Sequence, residues 1–190
     1  MAITITGNAA ADAELDRSSF SLLTAMLLDQ QVTMEKAFSG PHVLAERLGG
    51  TLDPAAVAAY DPEAFVALCS RPPAVHRFPA SMAGRIQALA TRVVEEYDGD
   101  AGRIWSEAAT AKDLLARLQS LPGFGAAKST IFLALLGKQL GVRPEGWLEV
   151  TGTYGEEGVY RSVADVVDAD SLAKVRAYKQ QQKSAAKAAR

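Results

Sequence analysis

Apolar positions recur along this chain with a helical rather than a strand period. Between residues 81 and 97, Ile86, Leu89, Ala90, Val93, Val94 and Tyr97 share one helical face, with polar and charged residues opposite. Phe20, Leu23, Leu27 and their neighbours form a nearly all-apolar segment behind Ser18 and Ser19, the reading of a capped, buried helix. Asp53-Pro54 and Asp61-Pro62-Glu63 each set a capping aspartate before a proline suited to the first helical turn. Thr110-Ala111-Lys112-Asp113 is a Thr-x-x-Asp variant of a capping box, followed by Leu114, Leu115 and Leu118 at helical spacing up to about Ser120. From Ala126 the pattern resumes through Ile131, Phe132, Leu135 and Leu136. Strand is hinted at only by Ile3 with Ile5 and by residues 163–167, both short. The expectation is a mainly α protein without internal repeats.

Composition narrows the class. With 190 residues, 48% of them apolar, the chain can bury a core as one ordinary domain or two small lobes. It has no apolar run of membrane-spanning length, and its first residues, Met1-Ala2-Ile3-Thr4-Ile5-Thr6, lack the basic start and apolar stretch of a secretory signal. A cytoplasmic protein, away from membranes, is expected. The one cysteine, Cys69, excludes an internal disulfide and a four-cysteine iron–sulfur cluster, and its apolar surroundings read as core. His42 and His76 lie far apart without carboxylate or cysteine partners at ligand spacing, so no metal is assigned to them. Six of the 20 basic residues and none of the 22 acidic ones lie between residues 174 and 190. The body, residues 1–170, is therefore net acidic. Residues 171–190 read as a basic helical tail, either a source of phosphate contacts or a solubilising terminus.

Between the two helices on either side of residue 120 runs Leu121-Pro122-Gly123-Phe124-Gly125-Ala126-Ala127-Lys128. Pro122 fixes its own φ, and Gly123 and Gly125 can take positive φ and leave no Cβ in the way of a ligand. The unpaired N–H groups of the second helix, with its positive dipole end, face out of this bare turn, where an anion such as a phosphate fits.

This run resembles the Leu-Pro-Gly-x-Gly signature of the helix-hairpin-helix (HhH-GPD) DNA glycosylase superfamily, which includes endonuclease III, with the hairpin over about residues 110–137. Two further stretches agree in order: Leu27-Leu28-Asp29-Gln30-Gln31 is similar to the family's Leu-x-Gln-Gln segment, and Gly84-Arg85-Ile86-Gln87-Ala88-Leu89-Ala90 to its Arg/Lys-x-x-x-Leu-Ala helix. The likeness covers roughly residues 20–147. It implies two helical lobes with a cleft between them, base excision from duplex DNA carrying a damaged or mismatched base, no cofactor in the chemistry, and a bound monovalent cation as an option at the hairpin. Leu121, Pro122, Gly123, Phe124, Gly125 and Lys128 would then meet the DNA backbone, while Gln30 and Gln31 would fill the gap left by an extruded nucleotide or simply end a buried helix.

Breaking an N-glycosidic bond develops positive charge on the sugar, which a nearby carboxylate stabilises. A gap-free count from Leu121 puts Glu145, within Arg143-Pro144-Glu145-Gly146-Trp147, at the position of the family's catalytic aspartate, although the motif around it is not kept. Pro-Glu-Gly is equally a turn signal, and Glu149 is the second candidate. The lysine that bifunctional members use for strand cleavage corresponds to Ala127. One residue rotates about 100° around a helix, so the neighbouring Lys128 is expected to point away from the pocket, towards phosphate or solvent. The resemblance therefore implies a monofunctional enzyme acting through Glu145. Trp147 and Tyr154 read as core rather than as stacking partners, and Arg71 and Arg77 as a solvated loop around Pro72-Pro73. No obligate protein partner is inferred. Two rival readings remain: a noncatalytic hairpin protein that binds DNA, and a helical protein unrelated to nucleic acid, for which the acidic body speaks.

Overall fold

A computed structural model describes residues 3–188, which form eleven α-helices and two 3-10 turns. The first helix, α1 (Ala9–Arg17), runs into α2 (Ser19–Leu28) through Ser18, whose hydroxyl accepts the Ser21 N–H at 3.0 Å. Next come α3 (Met34–Arg47), α4 (Pro54–Ala59) and α5 (Pro62–Ser70). Asp53 and Asp61 cap the last two through Ala56 N–H and Ala64 N–H, both at 2.8 Å. The long helix α6 (Pro79–Tyr97) packs on α4 and α5 with the apolar face its spacing predicts. After the short α7 (Arg103–Ser106) the chain enters α8 (Ala111–Gln119), capped by Thr110, and then α9 (Ala126–Gln139). These two form the hairpin. A short α10 (Trp147–Thr151) packs on α9, and α11 (Ala169–Ala188) ends the described chain.

One continuous apolar core joins these helices. Helix α2 is its axis: every residue from Phe20 to Leu28 is buried, as a helix apolar all round must be. Helices α1, α3 and α6 pack on it from the N-terminal half. On its other side a Cβ added at Gly123 of the hairpin would stand only 2.4 Å from Leu27 Cδ1, so the turn sits directly on α2. This is the mainly α arrangement, with a helix-hairpin-helix, expected from the sequence.

Neither hinted strand forms among the described residues, where the one bridge of strand type is the isolated pair Thr110 and Glu145. Ile3 and Ile5 are buried, Ile5 in a bend, and their N–H groups go to Asp16 and Asp12 carboxylates at 2.9 and 3.1 Å, which leaves no ladder to build. Val163–Asp165 winds instead into a 3-10 turn with a Ser162/Asp165 capping box. Asp165 is buried against Lys138 of α9 at 2.5 Å, tying that turn to the end of the hairpin's second helix.

Candidate active site and DNA interface

Where α2 ends, the hairpin begins α9 and α11 passes over both, a cavity of about 880 Å³ opens. Asp29, Gln30 and Gln31 line it from the end of α2, Lys128 and Ile131 from α9, and Arg77 from the loop before α6. The cleft therefore unites two of the three sequence stretches that carry the family likeness. Arg85 of the third stretch reaches its edge by donating to Gln30 Oε1 at 3.2 Å.

The two glutamines divide their roles. Gln30 is held fast: its amide donates to Leu27 O at 2.9 Å and accepts from Arg85, while its backbone carbonyl meets His76 Nε2 at 2.8 Å. His76 is buried, and its Nδ1 must accept the Phe78 N–H at 3.0 Å, so Nε2 carries the proton and donates to Gln30. His76 thus ties the Gln tip to the loop bearing Arg77 and the exposed Phe78, and Arg77 lies over the Phe78 ring at 5.3 Å. Arg47 steadies the same loop through the carbonyls of Leu68, Arg71 and Pro73 at 2.7 to 3.0 Å. Gln31 is exposed at the cleft mouth with φ of +57°, a left-handed conformation that a non-glycine residue adopts at some energetic cost. Gln31 is thus accessible at the cleft mouth, next in the chain to the hydrogen-bonded Gln30.

The hairpin also sorts its residues. Leu121 and Phe124 are core side chains, with Phe124 edge-on to Phe132 at 6.0 Å between centroids, so what they do for a ligand is fix the turn. Gly123 alone takes positive φ, at +80°; Gly125 has φ of −77° and nothing near a would-be Cβ. Gly123 thus serves the backbone and its approach to α2, whereas Gly125 leaves open space in front of the α9 N-terminus. That terminus has no side-chain cap, and Gly123, Gly125, Ala126 and Ala127 are exposed beside the half-buried Pro122.

Lys128 departs from the expected direction. Its Nζ lies in the cleft, donating to Leu27 O at 2.8 Å and 5.9 Å from the Phe124 ring centroid. The 100° rotation describes where its Cβ leaves the helix. Side chains of a first helical turn lean back towards the N-terminus, and four methylenes then carry the amine over the turn. Burial pushes the amine down to about 8 from an ordinary lysine value; Asp29 opposes this and Arg85 adds to it. The charged form is thus disfavoured in the folded protein at pH values below 8, where the unfolded chain holds the same proton freely. We expect Lys128→Met to raise stability at pH 7 by about 1–2 kcal/mol, discounted because the amine still meets water along the cleft. The gain should shrink as pH rises from 8 towards 10.5 and both states lose the proton, as urea melts at several pH values would show. Equal melts of both proteins throughout would mean the amine is not desolvated.

Glu145 lies elsewhere. It is exposed and outside the cleft, and its backbone carbonyl accepts the Ala111 N–H at 2.9 Å. Two residues on, buried Trp147 docks on Gly137 near the far end of α9 and donates its indole N–H to Leu133 O at 2.9 Å. Gly137 is nine residues beyond Lys128, roughly 13 Å along the helix axis. Glu149 is exposed as well, 3.6 Å from Lys112, and Tyr154 is half-buried against the core. The structure places two carboxylates in the cleft, both largely buried: Asp29, with Lys179 at 3.9 Å, beside the two glutamines, and Glu35 of α3, paired with Arg176 of α11. The sequence shows Asp29 inside the quoted Leu-Leu-Asp-Gln-Gln stretch, where an acid directly ending an all-apolar helix was the available signal.

Cys69 is a core thiol, pushed up to about 12 by burial and so not reactive. Among the described residues no three His, Cys, Asp or Glu side chains gather as a metal site, and no helix is long and apolar enough to cross a membrane.

A family model described as HhH-GPD superfamily base excision DNA repair protein matches residues 24–190, which takes in the hairpin, the Gln tip and α11. The chain belongs to the HhH-GPD superfamily of base excision DNA repair proteins, whose general activity is that of a DNA glycosylase. Searches of the curated proteins and of the solved structures gave no match.

Proposed function

We propose that the protein excises a damaged or mismatched base from duplex DNA by hydrolysis, with the chemistry in the cleft at Asp29. The observation that carries this reading is the meeting of a largely buried carboxylate, an exposed glutamine in left-handed conformation and a lysine from the first turn of α9 around one 880 Å³ cavity, with the uncapped α9 N-terminus next to that lysine in the chain. The α9 N-terminus would hold a backbone phosphate through its N–H groups. Gln31 would enter the gap left by the extruded nucleotide, and Phe78, exposed on the His76-tethered loop, would press on the neighbouring base step. Asp29 would stabilise the positive charge developing on the sugar and orient water. Release of base from a panel of lesion-bearing duplexes tests this. The wild type should release at least one base, Asp29→Asn should not, and Glu145→Gln should match the wild type. Loss of release in Glu145→Gln alone would return the catalytic role to that residue.

One observation favours a second reading. Lys128 lies in the same cleft with an amine that is partly neutral near pH 8, the state needed to attack a sugar carbon. Borohydride reduction with an abasic duplex separates the two: hydrolysis alone predicts no covalent adduct, whereas an adduct absent from Lys128→Met would establish the amine route. Should no lesion be released and no adduct form, the noncatalytic DNA-binding reading remains.

A further inference from the structure

We propose that α11 is a clamp for the DNA backbone, held on cleft carboxylates in the free protein and handed over to phosphates when DNA enters. The inference rests on the DNA reading above and adds a second binding wall opposite the hairpin. Arg176, Lys179, Lys183 and Lys187 stand at spacings of three, four and four, so they form a single stripe on the helix. The first three line the cleft. Arg176 pairs with Glu35 of α3, and Lys179 lies 3.9 Å from Asp29.

The helix is anchored by its beginning. Ser171 and Val175 are its buried residues, Leu172 is half-buried, and residues 180–188 are exposed. Beyond Val175 the half-buried Tyr178 faces the side of Tyr160, and on the cleft side the helix is held by the two ion pairs. Their cations are on the wetter side, at 58% and 38% exposure, and their acids on the inner side, at 17% and 13%. With their cations wet, the pairs are screened by salt from that side, and both Glu35 oxygens are buried without a hydrogen-bond partner beyond the ion pair, so the exchange of carboxylate for phosphate runs against the cost of the acid left behind and is favoured by the several phosphates the stripe meets at once. From residue 176 to residue 187 the helix rises about 16 Å, over which one DNA strand carries about four or five phosphates. The exchange would also uncover Asp29, coupling backbone capture to exposure of the cleft carboxylate.

The experiment measures affinity for an undamaged duplex across a salt series, so it does not depend on base release. For a triple variant, Arg176→Ala with Lys179→Ala and Lys183→Ala, the slope of log K against log salt should become shallower by about 2.7, close to 0.9 for each lost contact. Affinity at low salt should fall at least tenfold. Glu35→Gln should bind several-fold more tightly with an unchanged slope, because Arg176 no longer has a competitor. An unchanged slope in a triple variant with wild-type helix content and Tm overturns the clamp, and unchanged affinity in Glu35→Gln overturns the hand-over. If the triple variant loses helix, Lys183→Ala with Lys187→Ala carries the test, since both are exposed; its slope should become shallower by nearly 2. Failure of the wild type to bind any duplex would instead refute the DNA function itself.

Discussion

Replacing Asp29 with asparagine should lower base release by a factor of about 10²–10³ while leaving affinity for undamaged duplex within a few-fold of wild type. A preorganised group that faces charge developing in the transition state is worth about that much in a site with restricted water. The amide would keep the volume and the hydrogen-bonding reach of the side chain but offer no negative charge to the sugar. Binding should change little because the proposed contacts to phosphate are made by the hairpin and α11, not by Asp29, and losing the partner of Lys179 frees a cation. Single-turnover release and a binding isotherm on the same preparation make the comparison. Equal losses in both would mark Asp29 as a binding or folding residue. Full release would move the chemistry out of this part of the cleft.

The second large effect concerns the frame. Gly137→Val should destabilise the protein by more than about 3 kcal/mol, seen as a lowered urea midpoint or as insoluble protein. A Cβ at residue 137 would stand 2.2 to 2.3 Å from three atoms of the Trp147 indole, which is buried and pinned to α9 by its hydrogen bond to Leu133 O. Such an overlap exceeds ordinary overpacking because neither the helix backbone nor the ring can yield. Trp147→Phe beside it should cost less, since a smaller ring fits the notch and only the indole N–H bond is lost. If Gly137→Val melts like the wild type, the docking of Trp147 on α9 is wrong, and with it the reason Glu145 stands away from the cleft.

That docking also shows where sequence reasoning reaches and where it stops. The caps at Ser18, Asp53, Asp61 and Thr110 are legible because a cap and the N–H groups it satisfies lie within three residues of one another. The face of α6 is legible because burial there follows a single period. The hairpin is legible for the same local reasons, down to its bare glycines. Ile3 and Ile5 mislead because their N–H groups are satisfied by Asp16 and Asp12, a partnership that no alternation of residue types announces. For Glu145 a count along the chain carries no information on where the segment after α9 goes; the docking of Trp147 on Gly137 holds that segment at the far end of α9, outside the cavity lining. For Lys128 a rotation about the helix axis described the Cβ well and the amine badly, since a long side chain belongs to the surface its tip reaches. Asp29 was in plain view beside the two glutamines. What the sequence could not supply was that α11, some 150 residues later, brings a lysine to it and closes the cleft.

In the proposed arrangement the basic wall of the cleft is what lets a net acidic chain receive a polyanion. Arg77, Lys128, Arg176, Lys179 and Lys183 face one cavity against Asp29 and Glu35, so the charge that DNA meets on entry is positive whatever the sum over the surface.

The most direct test of the central claim is the affinity, at fixed low salt, for a duplex carrying a cationic pyrrolidine abasic analogue, compared with the same undamaged duplex, in the wild type and in Asp29→Asn. A cleft that stabilises a positively charged sugar should bind the analogue at least about a hundredfold more tightly, and Asp29→Asn should lose most of that preference while keeping its affinity for plain duplex. Equal affinity of the wild type for both duplexes would contradict the account, leaving a protein that holds DNA by its hairpin without recognising the transition state of base excision.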